Sequence, residues 1–338
     1  MRIGFACKYF HPDRSLPNSK IKEIEQQFNF KSTTAKWLSD NRKQAQQRID
    51  EIIVWNANCV LALVKFVASY PNPLRMLRLG SDVFPFYTHR DCKHLYKNSK
   101  VLNDAMDTLA HAGKLARHKK VKLSFHPGQF CVLASDKSDV IDRSIEEFEY
   151  HADIIRAMGY GKRKLDFKCN VHLSGRGGVD QFRATYKRLS KEAKRSITLE
   201  NDEYTATLDD LIPLADKVGI VLDLHHYWIY HGDYIRANDP RLKIIEDSWE
   251  GKRPTLHYSY SRHDYVNHIT GRKPDMDSLL DAGLTKAKLR AHSDFYPNPT
   301  MNRYVLDFLP RFDIMCEAKS KNVAALQLYN QAENIGIL

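Results

Sequence analysis

The sequence predicts an α/β protein built as a single (β/α)8 barrel, and three observations support this prediction. Short apolar runs alternate with longer segments of helical periodicity along the chain, which is the pattern of βαβ units and a parallel sheet. Eight such units can be counted, the number that closes a barrel. A side chain able to bind a metal follows most of the runs, and barrel active sites lie where the strands end. An open doubly wound sheet shares the alternating pattern.

The eight predicted strands are all short. They fall at residues 2–6, 76–79, 121–125, 167–173, 197–199, 219–224, 254–258 and 312–316, with helical patterns at 35–69, 101–117, 140–158, 181–194, 208–217 and 319–329. Two segments, 11–34 and 259–295, are predicted to be long loops, and loops of this length are usually functional or mobile. The 338 residues contain no repeat, low-complexity tract or obvious linker. We therefore expect one domain over residues 1–338.

The charge of the chain indicates what it binds. The chain has 52 Lys and Arg against 41 Asp and Glu, a net charge of +11. A basic protein is suited to a polyanionic partner, because each neutralised phosphate releases bound counterions. A soluble protein can also be basic without such a partner, so charge alone leaves both interpretations open.

Other features of the sequence indicate the cellular compartment. The six cysteines form no CxxC pair, which argues against a zinc ribbon and favours a reducing, intracellular setting. The first residues resemble a strand rather than a signal peptide, and no apolar run has the length of a membrane span. We expect a cytoplasmic protein without membrane contact. No GK[ST] motif is present, so no nucleotide cofactor is expected. We also expect a monomer.

Imidazole and carboxylate side chains recur at the predicted strand ends. They are His89, His126, His172, Glu200, Asp223, His226, His257, His292 and Glu317. Any one of them alone is more typical of a hydrogen-bonded structural residue. In a parallel barrel, however, all of these ends open on one face, and burying so many charges together without a cation would be costly.

A ligand set of imidazoles and carboxylates without thiolates suits Mn²⁺, Fe²⁺ or Zn²⁺. Nine ligands are too many for one ion, so we expect two or three, with Glu200 bridging. Paired ions can clamp the attacking and leaving oxygens of a phosphodiester, and one of them can generate hydroxide near neutral pH. We expect the catalytic group to be a metal-bound hydroxide held by Glu200, Asp223 and Glu317.

Four further residues are candidates for DNA contact. Gln129 and Phe130 follow a His-Pro-Gly turn that can hold them at a loop tip, where an aromatic ring can stack on a base and Gln can bond to base edges. A turn leading into core residues is the alternative. Phe5 ends the first strand and could face the barrel mouth. Arg176 lies in a Gly-rich loop whose N–H groups could approach a phosphate, although a simple turn before a helix fits equally well.

Together these motifs resemble the UV damage endonuclease family. The segments that carry the resemblance are Arg78-Leu-Gly-Ser-Asp-Val-Phe-Pro-Phe-Tyr-Thr-His89, Ser124-Phe-His-Pro-Gly-Gln-Phe130, Asn170-Val-His-Leu-Ser-Gly175, Leu199-Glu-Asn-Asp202, Asp223-Leu-His-His226 and Glu317-Ala-Lys319. They occur in the family's order and span most of the chain. The His-Pro-Gly-Gln-aromatic element is quite specific. The Leu-Glu-Asn and Asp-x-His-His elements are shared with endonuclease IV-type enzymes and xylose isomerase-like sugar isomerases.

The resemblance implies a barrel with a cluster of divalent metals, usually manganese. It also implies a nick immediately 5′ to a UV photoproduct (a cyclobutane dimer or a 6–4 photoproduct, and often an abasic site), leaving a 3′-hydroxyl and a 5′-phosphate. By the same match the nine residues above become metal ligands, and Gln129 and Phe130 become a lesion-probing wedge. The chain departs from the family at Phe5, where the family commonly has Tyr, and at Thr255, where it often has Lys.

Three other functions are weighed against this one. An abasic-site endonuclease of the endonuclease IV type would use the same kind of site and stays open as an alternative. A sugar isomerase on a related barrel would not need the net charge of +11 or a protruding Gln-aromatic tip. A DNA-binding or metal-storage protein that has lost activity would be expected to lack ligands, and here the set is complete.

Overall fold

Eight parallel strands form the centre of the molecule. In the computed structural model, which describes residues 1–266, 269 and 271–338, the strands are β1 (Ile3–Cys7), β2 (Met76–Leu79), β3 (Lys122–Phe125), β4 (Lys168–His172), β5 (Ile197–Glu200), β6 (Gly219–Val221), β7 (Thr255–Tyr258) and β8 (Asp313–Cys316). All eight predicted strands are present, and most of their ends agree within one residue. The sixth is shorter than predicted, because Asp223 already caps the next helix.

Helices follow the strands and surround them. They are α1 (Asn18–Glu25), α2 (Ala35–Asp40), α3 (Arg42–Ser69), α4 (Lys93–Lys97), α5 (Leu102–His118), α6 (Ser138–Ala157), α7 (Gly178–Arg188), α8 (Lys191–Ser196), α9 (Leu208–Leu211), α10 (Leu224–His231), α11 (Arg241–Ser248), α12 (His263–Val266), α13 (Met276–Asp281), α14 (Lys286–Leu289), α15 (Pro299–Leu306) and α16 (Lys321–Asn334), with 3₁₀ turns at Asn72–Leu74 and Ile212–Leu214.

Several helix predictions need correction. The helix predicted at 181–194 is two helices, because the Ser190 side chain accepts a bond from the Ala193 N–H and begins a new one. The helix predicted at 35–69 breaks at Asn41, which is not helical. The two predicted loops contain short helices: α1 in the first, and α12, α13 and α14 in the second, where Asp275 and Thr285 cap two of them. Residues 267, 268 and 270 of the second loop lie outside the described residues.

The sheet has the strand order β6-β5-β4-β3-β2-β1-β8-β7. The two outer strands, β6 and β7, meet at the carboxyl end of β6 through a bridge between Asp223 and His257. The His257 N–H donates to the Leu222 carbonyl at 2.9 Å. The eight strands thus make a nearly closed barrel with helices interleaved around it, which is the TIM-barrel fold, and the predicted fold class is confirmed.

The two faces of each strand have different environments. The barrel interior contains a row of neighbouring residues on adjacent strands, Ala6, Arg78, Ser124 and Lys168, which are paired in register. Phe5 has the opposite orientation: it is 2% exposed and packs edge-to-face on Phe66 of α3, with ring centroids 6.5 Å apart. The expectation that Phe5 faces the barrel mouth is therefore wrong. Its ring fills the layer between barrel and helices.

The long helix α3 supplies much of the packing behind β1 and β2. Its buried side includes Ile49, Ile53, Val60 and Val64, and it packs along α5. By length and composition this helix is apolar enough to cross a membrane, with a mean hydropathy of 1.8 over its most apolar 18 residues, half of which are buried inside the protein. The expectation that no apolar run reaches this length is thus corrected. Helices that form the core of a globular protein share this property.

Candidate metal centre

Glu200 is the central carboxylate of the site. It is the last residue of β5 and is 1% exposed. One carboxylate oxygen lies 3.2 Å from His126 Nε2 and also accepts from Asn170 Nδ2, and the other lies 2.9 Å from His257 Nδ1. Burial alone would raise the pKa of Glu200, but the neighbouring His257 and His172 imidazoles, together with hydrogen bonds, hold it well below its usual range. Glu200 is therefore an anion in the folded protein.

Glu200 belongs to two groups of side chains that could each hold a metal ion. The first group is His126, His172 and Glu200, and the second is Glu200, Asp223 and His257, with the ligand atoms of each group within 4.8 Å of one another. Each member is one of the last two residues of a different strand or lies within two residues after its end. Parallel strands that end on one face bring these distant residues together.

His226 lies beside Asp223 of the second group. The Asp223 carboxylate caps α10 by accepting from the His226 N–H at 2.7 Å, and its N–H donates to Asn201 Oδ1 at 2.8 Å. Burial raises the pKa of Asp223 well above its usual range. Burial lowers the pKa of His226, but Asp223, Glu200 and Glu203 outweigh it and raise the value to about 10. In the metal-free protein, the His226 imidazole is therefore a cation near pH 7 that faces Glu200 and Glu203.

Glu317 and His257 lie together beside Glu200. His257 Nδ1 is 3.2 Å from a Glu317 oxygen, and the same oxygen accepts from Arg78. Burial lowers the pKa of His257 to about 4, so its ring is neutral near pH 7. Both groups at Nδ1 are carboxylate acceptors, so in the metal-free protein Nδ1 carries the hydrogen, which would have to leave for a metal to bind there. His257 Nε2 then accepts from Lys168 Nζ, which lies 2.8 Å away.

Three of the predicted ligand histidines share one arrangement. The Nδ1–H groups of His126, His226 and His292 donate to the backbone carbonyls of Pro127, Asn201 and Glu317, at 3.0, 3.0 and 3.2 Å. A hydrogen bond of this kind fixes the ring and turns Nε2 outward, where it can bind a metal once it carries no hydrogen. In His126 this nitrogen faces an oxygen of Glu200. Two electron-rich atoms at that distance need a proton or a metal cation between or beside them.

Two buried atoms at the centre also lack a partner among the described residues. They are Nδ1 of His172 and Oδ2 of Asp223. Leaving such atoms unpaired inside a protein is costly, so each one indicates a partner that protein atoms do not supply. Because both are metal-ligand atom types within or beside the two groups, the residues fit divalent cations. The ligand types alone indicate which metal binds: imidazoles and carboxylates suit Mn²⁺, Fe²⁺ or Zn²⁺.

Eight of the nine predicted ligands therefore lie in one neighbourhood at the carboxyl ends of the strands. His292 is at its edge, where its Nε2 accepts from Ser259 Oγ at 3.3 Å. The exception is His89, which is exposed and packs on Phe86 with ring centroids 5.8 Å apart. Neither metal group found among the described residues includes it.

Gln129 and Phe130 lie at an exposed loop tip. Phe130 is 84% exposed, more than any other large apolar side chain described. The tip is closed by a bond from the Cys131 N–H to the Gly128 carbonyl at 3.0 Å, and Val132 N–H is held by Ser144 Oγ at 2.9 Å. The two side chains therefore extend from an anchored turn that begins at His126, rather than packing into the core.

Arg176 lies in the next loop, which packs against the loop that contains Gln129 and Phe130. Gly175 has φ +117°, and a Cβ there would come within 2.4 Å of the Ala134 carbonyl oxygen. The Gly177 N–H donates to the same oxygen at 2.9 Å. Only glycine permits this close approach at Gly175. The exposed Arg176 is thus held beside the tip of the preceding loop.

The polar residues beneath the ligands were not predicted as part of the site. Arg78 bonds Glu317, Asn170 bonds Glu200, and Lys168 bonds His257. Burial lowers the pKa of Lys168 to about 7. The sequence did contain a signal for them. Lys168, Asn170 and His172 are alternate residues of β4, and alternate residues of a strand point to the same face. If His172 faces the barrel interior, Lys168 and Asn170 must face it too.

The fold and these side chains define a TIM barrel with a candidate metal centre at the carboxyl ends of its strands. The model of the family described as UV-endonuclease UvdE matches residues 1–337. The chain therefore belongs to that family.

Curated relatives agree with this assignment. The chain is 28% identical over 344 residues to a UV-damage endonuclease of Schizosaccharomyces pombe, covering 98% of this chain and 51% of that protein. It is 24% identical over 346 residues to a UV DNA damage endonuclease of Clostridium perfringens, covering 99% and 71%. The chain thus spans about half the length of the Schizosaccharomyces relative, and 43% of one from Neurospora crassa.

Two solved structures have the same fold. The crystal structure of SacUVDE superposes with a TM-score of 0.75 at 20% identity, over 100% of both chains. Endonuclease IV from Thermus thermophilus superposes with a TM-score of 0.52 at 13% identity, over 81% of this chain and 94% of that one. At identities this low, the similarity establishes the fold and leaves the chemistry to the site itself.

Proposed function

We propose that this protein is a DNA-repair endonuclease that nicks the backbone immediately 5′ to UV photoproducts, leaving a 3′-hydroxyl and a 5′-phosphate. The observation that carries the proposal is the carboxylate of Glu200, which belongs to both candidate metal groups. Ions on either side of one carboxylate lie close enough to act on a single phosphodiester. Membership of the UvdE family supports damaged duplex DNA as the substrate.

We further propose two or three divalent ions, most simply Mn²⁺, held by Glu200, Asp223, His226, His257, Glu317, His126, His172 and His292. Such ions would supply Lewis-acid stabilisation of the charge that develops on the scissile phosphate. Residues 1–338 would act as one domain, as a monomer in the cytoplasm, without a nucleotide cofactor.

In this proposal, residues around the metal ligands hold those ligands in fixed orientations. Asn170 donates to Glu200 and Arg78 donates to Glu317, so each carboxylate keeps one orientation. Thr198 Oγ1 donates to Asn170 Oδ1 at 2.8 Å, which fixes the amide that orients Glu200. The backbone carbonyls of Pro127 and Asn201 keep the hydrogens of His126 and His226 on Nδ1. The ligands are therefore oriented before any substrate arrives.

We assign lesion recognition to Gln129 and Phe130. The ring of Phe130 is almost fully exposed at an anchored tip, so it can enter the base stack without unfolding anything. A photoproduct already weakens stacking and pairing, which makes extrusion of the damaged nucleotides less costly there than in intact duplex. Arg176, packed beside this loop, would contact the backbone phosphates.

A single incision experiment tests the proposal. A duplex with one thymine dimer is incubated with the protein in Mn²⁺ and, separately, in EDTA. The expected result is a metal-dependent nick just 5′ of the dimer that is absent from the undamaged duplex. Cleavage only at an abasic site would assign the protein to the endonuclease IV type of activity with the same metal centre. No metal-dependent cleavage of either substrate would refute the proposed function.

A further inference from the structure

Tyr204 is an exposed aromatic residue that the site described so far does not use. It follows Glu200 by four positions, in the loop after β5, and is 61% exposed. Among the large hydrophobic side chains described as exposed, only Phe130 is more accessible. An exposed aromatic ring beside a catalytic centre is a typical binding feature when it is held in one orientation.

Two sets of contacts hold the Tyr204 ring in place. The Asp202 carboxylate accepts from the Tyr204 and Thr205 N–H groups at 2.7 and 2.5 Å, which fixes the backbone of the loop. The Arg290 guanidinium lies over the ring, 4.1 Å from its centroid. Because Arg290 covers one ring face, the exposed area belongs to the other face and the edge.

Arg290 is connected to the metal centre through the carboxylate of Glu203. Its Nε donates to Glu203 at 2.6 Å, and another oxygen of Glu203 lies 3.5 Å from His226 Nε2. Arg290 also precedes the ligand His292 by two residues. The Tyr204 ring, the guanidinium and the metal centre are therefore connected through Glu203, which fixes the position of the ring relative to the reacting phosphate.

The loop containing Tyr204 lies on the same rim as the predicted lesion reader. Strands β3 and β5 are separated by β4 alone, so the loops that leave them start about 10 Å apart. The intervening loop contains Arg176, and Thr205 Oγ1 donates across to the Leu173 carbonyl at 3.4 Å. Phe130, Arg176 and Tyr204 therefore extend from three successive loops of one rim.

We propose that Tyr204, backed by Arg290, is a stacking platform for an unstacked nucleobase. The occupant is a base of the strand next to the nick, extruded or splayed from the duplex. An aromatic face accepts any base, and a guanidinium on the far side of the ring adds to the stack by cation–π attraction. Since a photoproduct joins two adjacent bases, a second stacking surface beside Phe130 suits a lesion of two nucleotides. This inference rests on the proposed function.

The test compares Tyr204→Ala, Tyr204→Phe and wild type. Affinity is measured in EDTA, so that no strand is cut, on duplexes with one thymine dimer, a two-base mismatch bubble or no damage. We expect Tyr204→Ala to weaken binding of the dimer and bubble duplexes about 5- to 150-fold, as for loss of one stacked base. Undamaged duplex should bind unchanged, and Tyr204→Phe should bind like wild type. Quenching of 2-aminopurine placed next to the dimer should disappear with Tyr204→Ala alone.

Two further variants make the result unambiguous. Tyr230→Ala removes a tyrosine that is 42% exposed on α10, and it should leave every affinity unchanged. Arg290→Met leaves the ring without its guanidinium and should give part of the loss seen with Tyr204→Ala. If Tyr204→Ala binds all three duplexes as wild type does, or loses affinity equally for all three, the platform is refuted. If the wild type neither prefers nor cuts the dimer duplex, the proposed function fails separately.

Discussion

Replacing Glu200 by Gln is the sharpest test of the metal centre. The substitution keeps the shape of the side chain but removes the charge shared by both candidate groups. It also places an amide nitrogen opposite either Asn170 Nδ2 or His257 Nδ1, and both of these are donors. The side chain therefore loses its charge and one of its hydrogen bonds in the same change.

The expected loss of incision is large because Glu200 belongs to both candidate metal groups. Losing even an outer hydrogen-bond partner of a ligand costs about 10- to 100-fold in metal affinity or activity. Since Glu200 serves two groups, the loss applies twice, and we expect incision to fall about 10²- to 10⁴-fold, or about 2.7 to 5.5 kcal/mol. The metal content after dialysis and the rise in melting temperature on adding Mn²⁺ should both fall with it.

A matched control separates metal loss from simple damage to the barrel. Asp313 is also a buried carboxylate of the barrel, but it lies at the amino end of β8 and pairs with Lys122 and Arg253. Asp313→Asn should lower the melting temperature while keeping the metal content and incision. If Glu200→Gln binds as many ions as wild type and cuts within about tenfold of its rate, the assignment of the metal centre is refuted.

Three further predictions concern lesion reading, metal affinity and acid stability. Gln129→Ala should cost about 1–3 kcal/mol of base contact on the dimer duplex but little on a pre-distorted bubble; equal loss on both would contradict a probing role. Lys168→Met leaves His257 Nε2 unpaired and should raise the Mn²⁺ concentration for half-maximal incision about 10- to 100-fold; an unchanged Mn²⁺ requirement would contradict this role. Burial lowers the pKa of His151 in the folded protein. Below about pH 6.5 the unfolded chain therefore binds a proton at this residue that the folded protein does not. The free energy of unfolding should fall there by up to about 1.4 kcal/mol per pH unit. Denaturation midpoints from pH 7 to 5 should fall less steeply in His151→Leu, and parallel curves would contradict this.

The site residues at the strand ends could be predicted because imidazole and carboxylate side chains recur there. His126, His172 and Glu200 each follow a short apolar run, and a parallel barrel brings such ends together without further information. The helix α10 was missed for a related reason. Its sequence begins with the site motif at Asp223, and its aromatic and histidine side chains gave no clear apolar stripe.

The direction of side chains within a strand was harder to predict. In a barrel strand both faces are buried, so hydrophobicity does not show which residues face inward. Phe5 was assigned to the mouth for this reason, whereas it packs on Phe66. Lys168 was overlooked because a lysine in an apolar run is usually expected to reach solvent. Its alternation with His172 along β4 was the available signal, and the register with Ser124 shows that Lys168 faces the barrel interior.

The bridge between Asp223 and His257 gives the metal centre a second role. These two residues join β6 to β7, at the position where the ring of strands would otherwise be open. An ion held by both would reinforce that junction, so metal binding would stabilise the closed ring of strands. Amide hydrogens of β6 and β7 should then exchange more slowly in the metal-loaded protein than in the metal-free one, while those of β2 and β3, on the far side of the ring, stay unchanged.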